Sequence, residues 1–199
     1  MPRPKCDSCN RPFSVCYCHT IQRNENAWPV HILQHPQEVK HAIGTARIAQ
    51  LSLSQCTTYV GDRAEQHTDL EHLISLQSPL LVYPSDDAIA LHELSETEVR
   101  PLIFLDASWR KSKRMLHESA LLNTLPKLSI TPTSSSNYRI RKSPSAEALS
   151  TLEAIVEVLT WVEKSKDYQP LLNSMQWMID RQIEAMGNDL YQQNYSPKN

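Results

Sequence analysis

Glycine is nearly missing from this chain: only Gly44, Gly61 and Gly187 occur in 199 residues. A phosphate-cradling loop needs several glycines in close succession, so P-loop and dinucleotide-binding readings fall away. No apolar run approaches the roughly 20 residues that cross a bilayer. Met-Pro-Arg-Pro-Lys leads straight into Cys6 without the apolar stretch of a secretory leader. Neither a Gly-x-Ser-x-Gly elbow nor a His-Glu-x-x-His zinc motif is present. A dominant charge is also missing, the formal net charge being −2, so the overall balance does not mark a nucleic-acid binder. What remains is a chain with 40% hydrophobic residues, enough for one cored domain with a small appendage.

Cysteine is scarce overall but concentrated. Four of the five lie in the first eighteen residues, as Cys6-x2-Cys9-x6-Cys16-x-Cys18, and Cys56 stands apart. Two closely spaced thiolate pairs suit a tetrahedral zinc site, and a closed four-thiolate site is structural. Disulfides are the first rival, disfavoured in a reducing cytoplasm, the compartment expected here. A redox Cys-x-x-Cys is the second, and Pro12 with two further cysteines argues against it. An iron–sulfur cluster has the same ligand type and stays open. His19 could replace one cysteine, although a loop histidine is the simpler reading. The expected division is a zinc knuckle over residues 1–27 and a catalytic domain over 28–199.

Charge is polarised along the chain. Residues 62–98 hold nine acids and one base, whereas residues 100–142 hold nine bases and two acids. The basic half suits a polyanion, with two solvated faces as the plain alternative.

Apolar runs at 28–35, 56–60, 79–84, 102–106 and 127–131 read as strands. Helical spacing covers 42–53, 68–76, 108–123, 150–163 and 171–186, with a helical turn at 95–100. Thr68-x-x-Glu71 and Ser150-x-x-Glu153 have capping-box form. The segment 131–146 is a polar loop rich in Ser and Pro, and the tail after Gly187 is expected to fray. Alternating strands and helices predict an α/β fold with a mainly parallel sheet flanked by helices. In such sheets the site lies beyond the carboxyl ends of the strands. That rule selects the loop from Tyr83 to Asp87, which includes Pro84 and Ser85, the segment Asp106-Ala107-Ser108-Trp109, and the loop from Tyr138 to Ser150.

Asp106, closing an apolar strand, could act as a general base or cap the next helix. Trp109 could stack on a base or fill the core. Arg110, Lys111, Lys113 and Arg114 on that helix, and Tyr138, Arg139, Arg141 and Lys142 in the polar loop, have the composition of a phosphate-binding surface. Solvated surface and a plain connector are the alternatives. The turn at His35-Pro36-Gln37-Glu38, with Lys40, Thr45 and Arg47 nearby, is either structural or part of the site.

Taken together, Cys-x2-Cys-x-Arg-Pro-x3-Cys-x-Cys, His-Pro-x-Glu, Asp-x-Ser-Trp and Ser-Thr-x-Glu-Ala, in that order, resemble the DTW-domain family of tRNA-uridine aminocarboxypropyltransferases. Ser108 stands where the family carries threonine and keeps the hydroxyl. Leu152 stands where it carries proline. The resemblance implies transfer of the 3-amino-3-carboxypropyl group from S-adenosylmethionine to N3 of a tRNA uridine, leaving methylthioadenosine. It also implies a fold similar to the knotted, SPOUT-like α/β methyltransferases, with a C-terminal trefoil knot. On this reading Asp106, Ser108 and Trp109 are catalytic, with Asp106 receiving the N3 proton. Tyr83, Pro84, Ser85, Leu105, Asp106, Ser145, Ser150 and Thr151 hold the methionine donor, with Arg47 as a further partner for its carboxylate. Arg110, Lys113, Arg114, Arg139, Arg141 and Lys142 hold tRNA. No membrane and no obligate protein partner are implied. RNA methylation on the same scaffold and a non-catalytic zinc module that binds RNA are the competing readings.

Overall fold

The computed structural model describes residues 4–41, 44–131 and 149–195. Two short 3-10 turns, Phe13–Val15 and Cys18–Thr20, follow the first cysteines. The regular elements are β1 (Val30–Gln34), α1 (Ala46–Ser52), β2 (Cys56–Val60), α2 (Thr68–Gln77), β3 (Leu80–Val82), β4 (Ile89–Ala90), β5 (Leu102–Asp106), α3 (Trp109–Glu118), α4 (Ala120–Thr124), β6 (Lys127–Ser129), α5 (Thr151–Val162), α6 (Gln169–Met186) and α7 (Asn188–Tyr195).

The strands form one parallel sheet in the order β2-β1-β5-β3-β6-β4. Parallel neighbours need crossover connections, and these lay helices over both faces. Alternation along the central strands separates two cores. Val30, Ile32, Leu80, Leu102, Phe104 and Leu128 face α1, α5 and α6. Leu33, Leu81 and Ile103 face α2, α3 and α4. The α/β sheet flanked by helices is as expected. The expected C-terminal knot involves late loops, and residues 132–148, which hold nearly all of the polar loop, lie outside the described residues, as do Ala42 and Ile43.

Several local expectations shift. The helix expected over 108–123 breaks at Ser119, whose Oγ accepts from the Leu122 amide at 3.4 Å and donates to Glu65 at 2.8 Å, starting α4 anew. Thr68 is the first residue of α2 and not its cap; His67 holds that position, with its carbonyl accepting from Leu70 and Glu71. Residues 95–100 form a turn without a helix. The tail beyond Gly187 is helical, because Gly187 takes φ 83° to redirect the chain and Tyr191 packs against the core. The two-residue β4 is too short to carry a periodic signal.

Glu163, at the end of α5, fastens that helix to the entrance of β1. Its buried carboxylate accepts from the amides of Ala27 at 3.0 and 3.1 Å and Trp28 at 3.1 Å, and pairs with Lys166 at 2.8 Å. Burial alone would raise its pKa, but Lys166 and the two amides outweigh it and hold the carboxyl below its usual range. Its contribution is therefore present at neutral pH and is lost as acid protonates the carboxylate. Glu163→Gln should lower stability at pH 7 by about 2 kcal/mol. In denaturant titrations the difference from wild type should shrink as pH falls below about 4; a difference independent of pH would contradict this anchoring role.

Candidate active site and metal centre

Asp106 closes β5 at the carboxyl rim of the sheet, in register with Gln34, the last residue of β1. Residues paired in register project to the same face, so both side chains turn towards α5. Gln34 Nε2 donates to Asp106 Oδ2 at 2.7 Å, and Thr151 Oγ1 donates to Asp106 Oδ1 at 2.7 Å. The backbone continues the junction, with the His35 amide donating to the Asp106 carbonyl at 3.0 Å. Asp106 is 8% exposed and Thr151 9% exposed, so the junction is nearly closed to solvent. Asp106 does not cap α3; Ser108 occupies the position before that helix, partly exposed, and makes no side-chain cap.

The expected capping box at α5 forms. Ser150 Oγ accepts from the Glu153 amide at 3.3 Å, and the Ser150 amide donates to Glu153 Oε2 at 2.7 Å. Ser150 is buried and its hydroxyl reaches Met175 Sδ at 3.6 Å on α6. Thus Asp106, Ser150 and Thr151 come together. Tyr83 and Trp109 also meet, their rings 6.2 Å apart at 59°, joining the loop after β3 to the start of α3. Pro84 is exposed and Ser85 partly so, with Ser85 Oγ bonded to Asp87. Leu105, next to Asp106, turns to the opposite core. Trp109 is 40% exposed, so it is not a core residue.

Arg110, Lys113 and Arg114 are exposed on α3. Arg114 pairs with Glu118 at 2.7 Å, which raises its already high pKa. Lys111 is tied down, bonding Glu38 at 2.8 Å and thereby holding the loop after β1 against α3. Arg47 bonds the Ser8 carbonyl, with its Nε at 2.8 Å, and Gln50. Its guanidinium thus braces the cysteine-rich loop. Ser145, Arg139, Arg141 and Lys142 lie outside the described residues. The sequence did not single out Gln34; a polar residue closing a mostly apolar strand was the available signal, and only the strand register puts it beside Asp106.

The four amino-terminal cysteines converge. All four sulfurs lie within 4.8 Å of one another. Cys6 and Cys18 Sγ are 3.7 Å apart, and Cys9 and Cys16 Sγ 3.6 Å. A zinc–sulfur bond of 2.3 Å gives a tetrahedral edge of about 3.8 Å, so the donor set fits a four-coordinate ion. Amides of Cys9 and Ser8 direct N–H groups at Cys6 and lower its pKa to about 6, while burial and the neighbouring thiols push Cys18 upwards. Four crowded thiolates repel one another, and a cation at their centre relieves that repulsion. Cys56 takes no part; burial pushes its thiol up to about 12. The cluster is seated on α6 through Ser174, which donates to the Thr20 carbonyl at 2.9 Å, and through the edge contact of His19 with Trp177 at 4.6 Å.

The DTW-domain model matches residues 3–183, and the chain belongs to that family. Among curated relatives it is 32% identical over 178 residues to a fruit fly (Drosophila melanogaster) protein named tRNA-uridine aminocarboxypropyltransferase 2, covering 85% of this chain and 71% of that protein. It is 29% identical to the Macaca fascicularis protein of the same name, over 92% of this chain and 64% of the relative. It is 25% identical to tRNA-uridine aminocarboxypropyltransferase A of Arabidopsis thaliana, over 81% of this chain and 73% of the relative. No solved structure matches the chain.

Metal analysis of the purified chain should find about one tightly bound ion coordinated by four sulfurs. Cys9→Ser should release it and lower the melting temperature; a fully stable, metal-free wild type would contradict the site.

Proposed function

We infer that this chain is a tRNA-uridine aminocarboxypropyltransferase. The observation that carries this reading is the DTW-domain match across residues 3–183, with its Asp106-Ala107-Ser108-Trp109 segment at the carboxyl rim of a parallel sheet. The shared name of relatives over most of the chain supports it.

The donor is S-adenosylmethionine and the acceptor N3 of a uridine. The N3–Cγ bond forms as the Cγ–S bond breaks, the bonding pair goes to sulfur as methylthioadenosine, and N3 loses its proton. A sulfonium is already a good leaving group, so the protein's main task is to align nitrogen, carbon and sulfur. The donor lies along Tyr83, Pro84, Ser85, Leu105, Asp106, Ser145, Ser150 and Thr151. The buried hydroxyl of Thr151 and the Tyr83–Trp109 ring pair at one rim are compatible with a charged, adenine-bearing molecule. Ser108 and Trp109 face the target base, with the partly exposed indole free to stack. Arg110, Lys113 and Arg114, with Arg139, Arg141 and Lys142 of the polar loop, hold tRNA phosphates.

Zinc is the metal of this reading, supported by four sulfurs within 4.8 Å of one another, the spacing of one tetrahedral ion, and residues 1–27 form its knuckle beside a catalytic domain of 28–199. Free thiols at such a site suit the cytoplasm. Among the described residues no helix is long and apolar enough to cross a membrane.

Incubation of tRNA with the protein and S-adenosylmethionine should yield 3-(3-amino-3-carboxypropyl)uridine and methylthioadenosine by mass spectrometry. S-adenosylhomocysteine with a methylated nucleoside would mean an RNA methyltransferase, and no nucleoside change would mean a binding module. The triple substitution Arg110→Ala, Lys113→Ala, Arg114→Ala should weaken tRNA binding at low salt and flatten its salt dependence by about two units of logarithmic slope. An unchanged slope would remove α3 from the RNA-binding face.

A further inference from the structure

We propose that Asp106 is a positioning residue and not the acceptor of the N3 proton: with Gln34 and Thr151 it forms a clamp that sets the first turn of α5 against the methionine donor. The proposal rests on the transferase reading and deepens it by assigning roles to Gln34 and Thr151.

Both carboxylate oxygens already face donors. Gln34 Nε2 occupies one at 2.7 Å and Thr151 Oγ1 the other at 2.7 Å, from elements 72 and 45 residues away in sequence. These are short, charge-assisted bonds in a nearly closed junction. Each oxygen keeps a second lone pair, but Asp106 is only 8% exposed and Thr151 9%, so a uridine base has little of the carboxylate to approach while both bonds are in place. Aligned as they are, the three residues lock the ends of β1 and β5 to the start of α5. The capping box then fixes Ser150 in turn through Glu153. The peptide units of that first turn therefore have one orientation relative to the sheet rim, which is what a donor bound there needs. The N3 proton is left to water at the open side of the rim, where Trp109 is exposed.

The geometry separates the two roles of Asp106 with one substitution. In Asp106→Asn the Gln34 amide can rotate end for end, so that its carbonyl accepts from the new side-chain NH2, while Thr151 still donates to the remaining oxygen. The clamp survives weakened; a proton acceptor would be gone. Steady-state kinetics of the full chain with S-adenosylmethionine and tRNA transcript should give Asp106→Asn a kcat/KM within about 30-fold of wild type, the cost of weakened charge-assisted bonds. Thr151→Val should raise the KM for S-adenosylmethionine about tenfold with a smaller change in kcat, and Thr151→Ser, which keeps the hydroxyl, should recover most of that loss. Gln34→Ala should move KM in the same direction. Melting curves identify any variant that has unfolded.

Two results would overturn the clamp. One is Asp106→Asn with wild-type donor affinity and a kcat lower by more than about a thousandfold, the behaviour of a lost base. The other is Thr151→Val with unchanged donor affinity. Equilibrium binding of S-adenosylmethionine without tRNA keeps the outcomes distinct. Wild-type protein that binds the donor but transfers nothing counts against the transferase reading, while the binding of Thr151→Val still decides the clamp. Wild-type protein that fails to bind the donor overturns both.

Discussion

One buried carboxylate ties together the carboxyl rim of the sheet and the start of α5. Asp106 receives Gln34 from β1 and Thr151 from α5, so three elements that are distant in sequence meet at a single side chain. Removing one partner would leave a buried charge short of a hydrogen bond, a cost larger than the net worth of the bond itself. The surrounding arrangement depends on this junction. The capping box orients Ser150 directly beside the anchored Thr151. The loop after β1 begins at the same place and is held further out by Glu38 and Lys111.

The four-cysteine cluster supports the same end of the molecule indirectly. Its loop is braced by Arg47 on α1, the helix that follows the loop leaving β1. Its second turn sits on α6 through Thr20 and His19, and α6 in turn lies beneath Ser150 through Met175. An ion held by the four sulfurs would thus stiffen the support behind α5, with no coordination position left open for chemistry.

Much of this was legible in the sequence, and the reasons are physical. Parallel strands buried on both faces carry unbroken apolar runs, so the strands from Leu80 and Leu102 stood out. The four cysteines are a local pattern, and the capping box at Ser150 spans only four residues. The missing parts depend on distant partners. The break at Ser119 is made by Glu65, far back in the chain. The role of Asp106 could not be read from Asp106 alone, since strand register places Gln34 beside it and helix packing brings Thr151. Arg47 offered a cation for a substrate carboxylate until the fold turned it to Ser8.

Hydrogen exchange resolved by peptide tests the central claim most directly, because it reads the junction without relying on any reaction. In Thr151→Val, amides in the first two turns of α5 should exchange faster than in wild type, together with those at the end of β1, while the α2, α3 and α4 side of the sheet keeps its protection. Exchange in α5 that is indistinguishable from wild type would mean that Asp106 does not hold these elements together.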